Sequence, residues 1–271
     1  MRTKADQAYT KLINQILMEG EEVTTRNHNV IRHTNVPNIT FDSAPIVTLR
    51  SVAIRKALLE MEWFLSGDDK CPDHLKDWWE GQLNEEGLYI GGYAHQLIHM
   101  FDQIDYIIEG LKNNPYSRRL CFSAWCTEDM ANITYLNGNP NTPSTCHLSF
   151  VQVFVDTQNK VHMKQYQRSC DVLLGLPHNW IQHHALLVYL ARQSGREVGT
   201  YTWIGGDVHI YDEPSHMEVA KTLANINVPY DLITTVNTEY LISGNTFLAE
   251  DFAFDKRLLD GPIITTRPKL L

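Results

Sequence analysis

Cys146 stands in the run Pro-Ser-Thr-Cys-His, just ahead of an apolar stretch. A thiolate is a strong nucleophile once nearby positive charge lowers its pKa, although a lone cysteine is more often a small packing residue. Positive charge is available: Arg118 and Arg119 close the run Asn-Pro-Tyr-Ser-Arg-Arg, and Arg168 and Ser169 lie in Gln-Arg-Ser-Cys-Asp. Guanidinium forks grip phosphate oxygens bidentately and serine adds a donor; any one of these arginines alone reads more simply as a surface ion pair. Asn179 follows Leu-Gly-Leu-Pro-His, and His209 and Tyr211 belong to Gly-Gly-Asp-Val-His-Ile-Tyr. An amide offers one donor face and one acceptor face, the pattern of a uracil edge, while His and Tyr suit a sugar hydroxyl. Taken singly, a capping Asn and a satisfied His/Tyr pair explain them as well. His178, His183 and His184 invite a metal, but no Cys or carboxylate completes a familiar ligand set, so none is expected there. Cys170 reads as packing.

These residues need elements to hold them. Residues 51–66 predict a helix, with Ser51 as cap, Ile54, Leu58, Met61 and Leu65 at helical spacing and Gly67 as terminator. Residues 102–113 predict another, capped by Asp102 and stopped by Pro115. Residues 147–156 and the run Val-His-Met-Lys-Gln-Tyr-Gln-Arg-Ser read as strands of a hairpin turning through Asp156–Lys160. A long helix over 179–193 shows Trp180, His184, Leu187 and Ala191 on one face and ends at Gly195; residues 198–211 return to extended chain. The order is mixed rather than strictly alternating, which predicts an α+β sheet protein.

The whole chain of 271 residues, 43% hydrophobic and 20% charged, carries no repeat or linker and reads as one domain, 1–271. Its net charge of -9 makes nucleic acid an unlikely partner, yet leaves room for a local positive pocket. Five cysteines without a Cys-x-x-Cys pair point away from disulfides and zinc knuckles and toward a reducing cytoplasm. No run approaches the ~20 apolar residues of a membrane span, and the first residues lack the apolar stretch of a signal peptide.

Together these segments resemble the thymidylate synthase family, densely from Asp102 to Tyr211 and more loosely from Tyr9 to Tyr93. The resemblance implies a six-stranded mixed sheet packed with helices and serving as the interface of a homodimer. It implies a dUMP-like nucleotide as substrate and 5,10-methylenetetrahydrofolate as co-substrate, with no metal. On this pattern Cys146 attacks C6 of the pyrimidine. Arg26, Arg168 and Ser169 hold the phosphate, and Arg118 and Arg119 reach it from the other subunit. Asn179 reads O4 and N3, and His209 and Tyr211 bind the 3′-hydroxyl. Glu60, in Leu-Leu-Glu-Met-Glu-Trp-Phe-Leu, organises proton transfers; Tyr93 and His147 belong to the hydrogen-bond network. Trp79, Asp171, Gly175 and Arg50 fall on the folate side.

The departures from the family pattern gather on that folate side. Asn-His-Asn-Val follows Arg26 in place of a Gly/Thr-rich loop, and Gln82 stands near the second Trp of the folate wall. Tyr-Ala-His-Gln-Leu-Ile replaces Tyr-Gly-x-Gln-Trp-Arg, Arg50 replaces a Lys and Ala53 a His. His178 and Trp180 flank Asn179, and residues 260–271 replace the apolar closing tail. Loss of a dry lid admits water, and His178 is placed to orient it. The chain thus resembles most the phage nucleotide hydroxymethylases of the family, which supply modified bases for viral DNA. The alternatives are thymidylate synthesis, a deoxycytidylate enzyme (for which a carboxylate would suit position 179 better) and a non-catalytic homologue that binds nucleic acid or protein.

Overall fold

The computed structural model describes residues 2–25, 28–125, 145–227 and 246–253, with the backbone of 233–234 and 239–240. Arg26 and the tail 260–271 lie outside the described residues.

The centre is a mixed sheet. Strands β2 (Glu21–Thr24), β3 (Asn29–His33), β4 (Ile39–Phe41), β5 (Cys121–Phe122), β6 (Phe150–Val155), β7 (Lys160–Asp171) and β8 (Glu197–Tyr211) assemble in the order β2-β3-β8-β7-β6-β5, with β4 also paired to β8. Only the β7–β8 pair of this sheet is parallel. The predicted hairpin is β6–β7. Its turn is built by Asp156, whose Oδ1 accepts the N–H groups of Gln158 (2.8 Å) and Lys160 (2.9 Å), with Asn159 in the left-handed region at φ 65°.

Helix α1 (Lys4–Glu19) starts at a capping box in which Thr3 and Asp6 satisfy each other's backbone N–H groups. Helix α2 (Ile54–Ser66) ends at Gly67, φ 78°, as its sequence predicts, but begins three residues after Ser51 and has no side-chain cap of its own at Ala53. The short α3 (Lys76–Trp79) follows. Helix α4 (Gln103–Asn113) is capped by Asp102, which accepts the Asp105 N–H at 2.8 Å. Helix α5 (Leu176–Gln193) opens with Pro177 in its first turn, earlier than its apolar spacing suggests. It is buried on nearly every side rather than along one face, because the sheet lies against one flank and α2 against another. Helix α6 (Pro214–Ala224) packs on α1. No helix among the described residues is long and apolar enough to cross a membrane.

Helices α1 and α5 cover one face of the sheet. On the other face Phe150 and Tyr166 remain 48% and 40% exposed while their strand neighbours Val151, Val153, Met163 and Gln165 are buried.

Candidate active site

Cys146 lies in the turn that feeds β6. Leu148, two residues on, is held at φ 55°, a left-handed conformation that costs a non-glycine residue ~1–2 kcal/mol. The turn is stapled by Ser149 Oγ donating to the Cys146 carbonyl (3.1 Å) and by Ala124 N–H donating to the Leu148 carbonyl (2.9 Å). Buried Tyr93 organises the Cys146 turn. Its hydroxyl accepts the N–H groups of Cys146 (2.8 Å) and His147 (3.1 Å) and donates to Cys146 Sγ (3.6 Å). One hydroxyl thereby uses both lone pairs and its proton. Burial pushes the Cys146 thiol up, and this outweighs the Tyr93 hydrogen bond and the Arg168 charge, which pull it down. The expectation that the arginines lower this pKa is right for Arg168 as a contribution, but desolvation wins the sum.

Glu60, on α2, is sealed among aromatic rings. The indole N–H of Trp79 donates to Oε1 at 2.6 Å and the Gln182 amide to Oε2 at 2.7 Å. Burial raises its carboxyl to about 7, against the lowering effect of those two bonds. A carboxyl near neutrality is suited to giving and taking a proton. Trp79 packs edge-on against Trp63 and Phe64, so its clearest role here is to position Glu60.

A second network runs inward. The His147 Nδ1 meets His183 Nε2 at 2.9 Å, His183 Nδ1 meets Tyr201 Oη at 3.0 Å, and Tyr201 donates to Gln165 Oε1 at 3.1 Å. Since Tyr201 gives its proton to Gln165, it must accept from His183 Nδ1–H, which leaves His183 Nε2 to accept from His147 Nδ1–H. Burial lowers the His147 pKa to about 3, so both rings are neutral. His147 lies against Tyr93 with ring centroids 4.4 Å apart.

The residues that the sequence offers for phosphate and sugar lie on β7 (Arg168 and Ser169) and β8 (His209 and Tyr211). Arg168 stacks on Trp125 (4.6 Å) and donates to the Thr145 carbonyl (3.3 Å), while its Nε is enclosed without a hydrogen-bond partner. The Ser169 N–H approaches the Cys146 carbonyl at 3.4 Å, which ties Ser169 to the nucleophile's turn. Gly206 must lack a side chain: a Cβ there would come within 2.7 Å of the Arg168 carbonyl. His209 and Tyr211 share one face of β8, rings 5.3 Å apart, and His209 Nδ1 is oriented by Asp207 at 2.9 Å. Burial acts to raise Asp207, but His209 and Arg32 outweigh it and hold the carboxylate low. Asp171 Oδ1 accepts the N–H groups of Leu173 and Leu174, forming the turn that launches α5. Buried Asn179 follows one turn later, its N–H bonded to the Gly175 carbonyl. Arg50 is buried beside Tyr9, with Nε and Nη1 unpartnered among the described residues.

Cys146, the neutral-range carboxyl of Glu60 and the enclosed guanidinium of Arg168 thus lie close enough to act on one another's charge. Comparison with known proteins decides which reaction class this is. Residues 7–254 match the family model described as thymidylate synthase. The chain is 32% identical over 226 residues to a thymidylate synthase of Buchnera aphidicola subsp. Acyrthosiphon pisum (strain Tuc7), covering 79% of this chain and 81% of that protein. It is 33% identical over 229 residues, with the same coverage, to that of Buchnera aphidicola subsp. Baizongia pistaciae (strain Bp). The chain belongs to the thymidylate synthase family. Thymidylate synthase family members are one-carbon transferases that use methylenetetrahydrofolate as co-substrate.

Against that frame several expectations change. His178 does not face the site with a free nitrogen. Its Nδ1 is 2.8 Å from the Leu174 carbonyl and its Nε2 accepts the Ala53 N–H at 3.2 Å, so the ring supplies the cap that α2 lacks and has no nitrogen left to orient water. Trp180 is fully buried against Phe41 (4.9 Å) and belongs to the core, not to a folate wall. Gly175 is not sterically demanded, since a Cβ would meet only ordinary contacts at 3.5 Å. Arg118 and Arg119, expected to serve the other subunit, are exposed beyond α4, where they precede β5. Sequence reasoning passed over Gln182, Tyr201 and Trp125, and weighed His183 only as a metal ligand. Only Asp207, inside a quoted motif, carried a local signal.

Proposed function

We propose that this protein transfers a one-carbon unit from methylenetetrahydrofolate to C5 of dUMP and that water completes the transfer, giving 5-hydroxymethyl-dUMP and tetrahydrofolate. The observation that carries the choice is Gln82, exposed at the position of an aromatic folate-wall residue, beside a nucleotide side whose described residues are all present. Hydride delivery needs the reduced ring held tightly with water excluded, since ~1 Å of misplacement costs about a hundredfold. Water needs only access and a proton relay.

Cys146 as thiolate adds to C6, which moves the electron pair onto C5 and O4. Asn179 pairs with the O4 and N3 edge, and Arg168 with Ser169 holds the phosphate. His209 and Tyr211 hold the 3′-hydroxyl. Folate supplies the methylene carbon; the unpartnered donors of buried Arg50 fit an anionic group such as it carries. Glu60, balanced near neutrality, passes protons to and from the base and takes one from the incoming water. It replaces His178 in that role. The open aromatic face of the sheet fits a second copy of the chain, which would bring Arg118 and Arg119 to the neighbouring phosphate.

The similarity to thymidylate synthases favours a second reading, reductive methylation to dTMP. Incubation with dUMP and methylenetetrahydrofolate separates the two. The first gives hydroxymethyl-dUMP without the absorbance rise of dihydrofolate. Equal amounts of dTMP and dihydrofolate would establish the second.

A further inference from the structure

We propose that Asp69, His95 and His99 form a binding site for a zinc-type divalent metal ion, outside the residues that the reaction uses. Asp69 Oδ2 lies 3.7 Å from His95 Nδ1 and 3.8 Å from His99 Nδ1, and one ligand atom from each residue falls within 4.8 Å of the others. These separations are too long for hydrogen bonds. A tetrahedral ion with bonds of roughly 2.0–2.1 Å holds its ligands about 3.4 Å apart, so Asp69 closes on each histidine by a few tenths of an ångström, while the two histidines already have ligand atoms within 4.8 Å of each other. The polar atoms are also unmet: Asp69 Oδ1 and His95 Nδ1 are both enclosed without a hydrogen-bond partner among the described residues.

The frame is rigid. Asp69 follows the Gly67 terminus of α2. Its carbonyl accepts the Tyr89 N–H (2.9 Å), and the preceding Asp68 carbonyl accepts the Trp63 indole (2.7 Å). His95 and His99 bound a single π-helical turn, a geometry frequent at functional sites, and are four residues apart on one face. That turn is fixed by Gln103 Nε2 donating to the Gln96 carbonyl at 2.7 Å. Side-chain exposures of 23%, 31% and 46% for Asp69, His95 and His99 leave a route for the ion and an open fourth position. Two imidazoles and one carboxylate select Zn²⁺, Co²⁺ or Ni²⁺ over Mg²⁺ or Ca²⁺. A bound ion would tie the end of α2, the helix of Glu60, to the segment just after Tyr93, which positions Cys146.

The test uses the full chain stripped with a chelator, on a Cys146→Ala background so that the nucleophile cannot compete. Titration with Zn²⁺ by calorimetry, and with Co²⁺ by visible absorption, is expected to show one equivalent bound with a nitrogen/oxygen spectrum lacking thiolate charge transfer. Saturating Zn²⁺ should raise Tm, and Mg²⁺ should not. Asp69→Asn and the exposed His99→Gln should each weaken Zn²⁺ binding at least tenfold while leaving the metal-free Tm near that of the parent. Absence of binding at millimolar Zn²⁺, binding unchanged in both variants, or a thiolate spectrum would overturn the proposal.

Discussion

Tyr93 divides one hydroxyl among three partners, and the nucleophile depends on all three bonds. With desolvation dominating the Cys146 thiol, its ionisation relies on these groups and on Arg168. Cys146→Ala should abolish turnover and leave dUMP binding within a few-fold, because the phosphate grip lies elsewhere; calorimetry beside a turnover assay checks both. Residual turnover above background would remove Cys146 as nucleophile. Arg168→Ala should weaken dUMP by ~2–4 kcal/mol and leave uridine unaffected, whereas equal loss for both ligands would make Arg168 structural. Glu60 gives a pH signature. Its carboxyl rises from 4.5 to about 7 on folding, so between those values the native state binds more protons than the unfolded chain. Native stability therefore falls as pH climbs through this window, by on the order of 3 kcal/mol, and the penalty is absent below 4.5. Urea unfolding at pH 5 and pH 8 should show this difference in the parent and a much smaller one in Glu60→Gln. An unchanged difference would place the titration on another group.

At the scale of elements, α2 and α5 are clamped twice. His178 joins the Leu174 carbonyl to the Ala53 N–H at their starts, and Gln182 bonds both the Ala57 carbonyl and Glu60 further along. An uncapped helix start leaves N–H groups exposed to an energetic penalty. His178→Phe fills the same space but satisfies neither backbone group, at ~1–3 kcal/mol. Thermal unfolding should show the lowered Tm, and the ratio of hydroxymethyl-dUMP to dTMP should stay unchanged. A shift of that ratio toward dTMP would return His178 to the chemistry.

For the whole molecule the open sheet face is the governing feature. Phe150 and Tyr166 lie on strands whose alternate residues fill the core, so their exposure follows from the pleat. If a second copy covers this face and lends its arginines, neither Cys146→Ala nor the double variant Arg118→Ala/Arg119→Ala retains full activity alone. Mixing them with subunit exchange restores one intact site in each mixed dimer, about a quarter of parental activity at equal amounts. No recovery after exchange, with mixed dimers demonstrated, would assign the arginines to their own chain's surface.

The sequence by itself named the candidate reacting groups and determined much of the frame. Cys146, Arg168 and Asn179 sit in contiguous motifs, Gly67 and Asp102 mark helix ends by chemistry that acts within a turn, and the β6–β7 hairpin follows from alternation and one aspartate. It did not determine what depends on distant chain meeting. Gln182 reaches Glu60 across 122 positions and His178 reaches Ala53 across 125, and neither pairing leaves a local pattern. The same holds for α5, whose apolar spacing predicts one buried face but which is enclosed on nearly every side. It holds equally for the Glu60 carboxyl, since its proton affinity comes from the rings and amide that burial assembles around it. Residue type states which proton or electron pair is available; only packing sets the dielectric and the partners that decide when it moves.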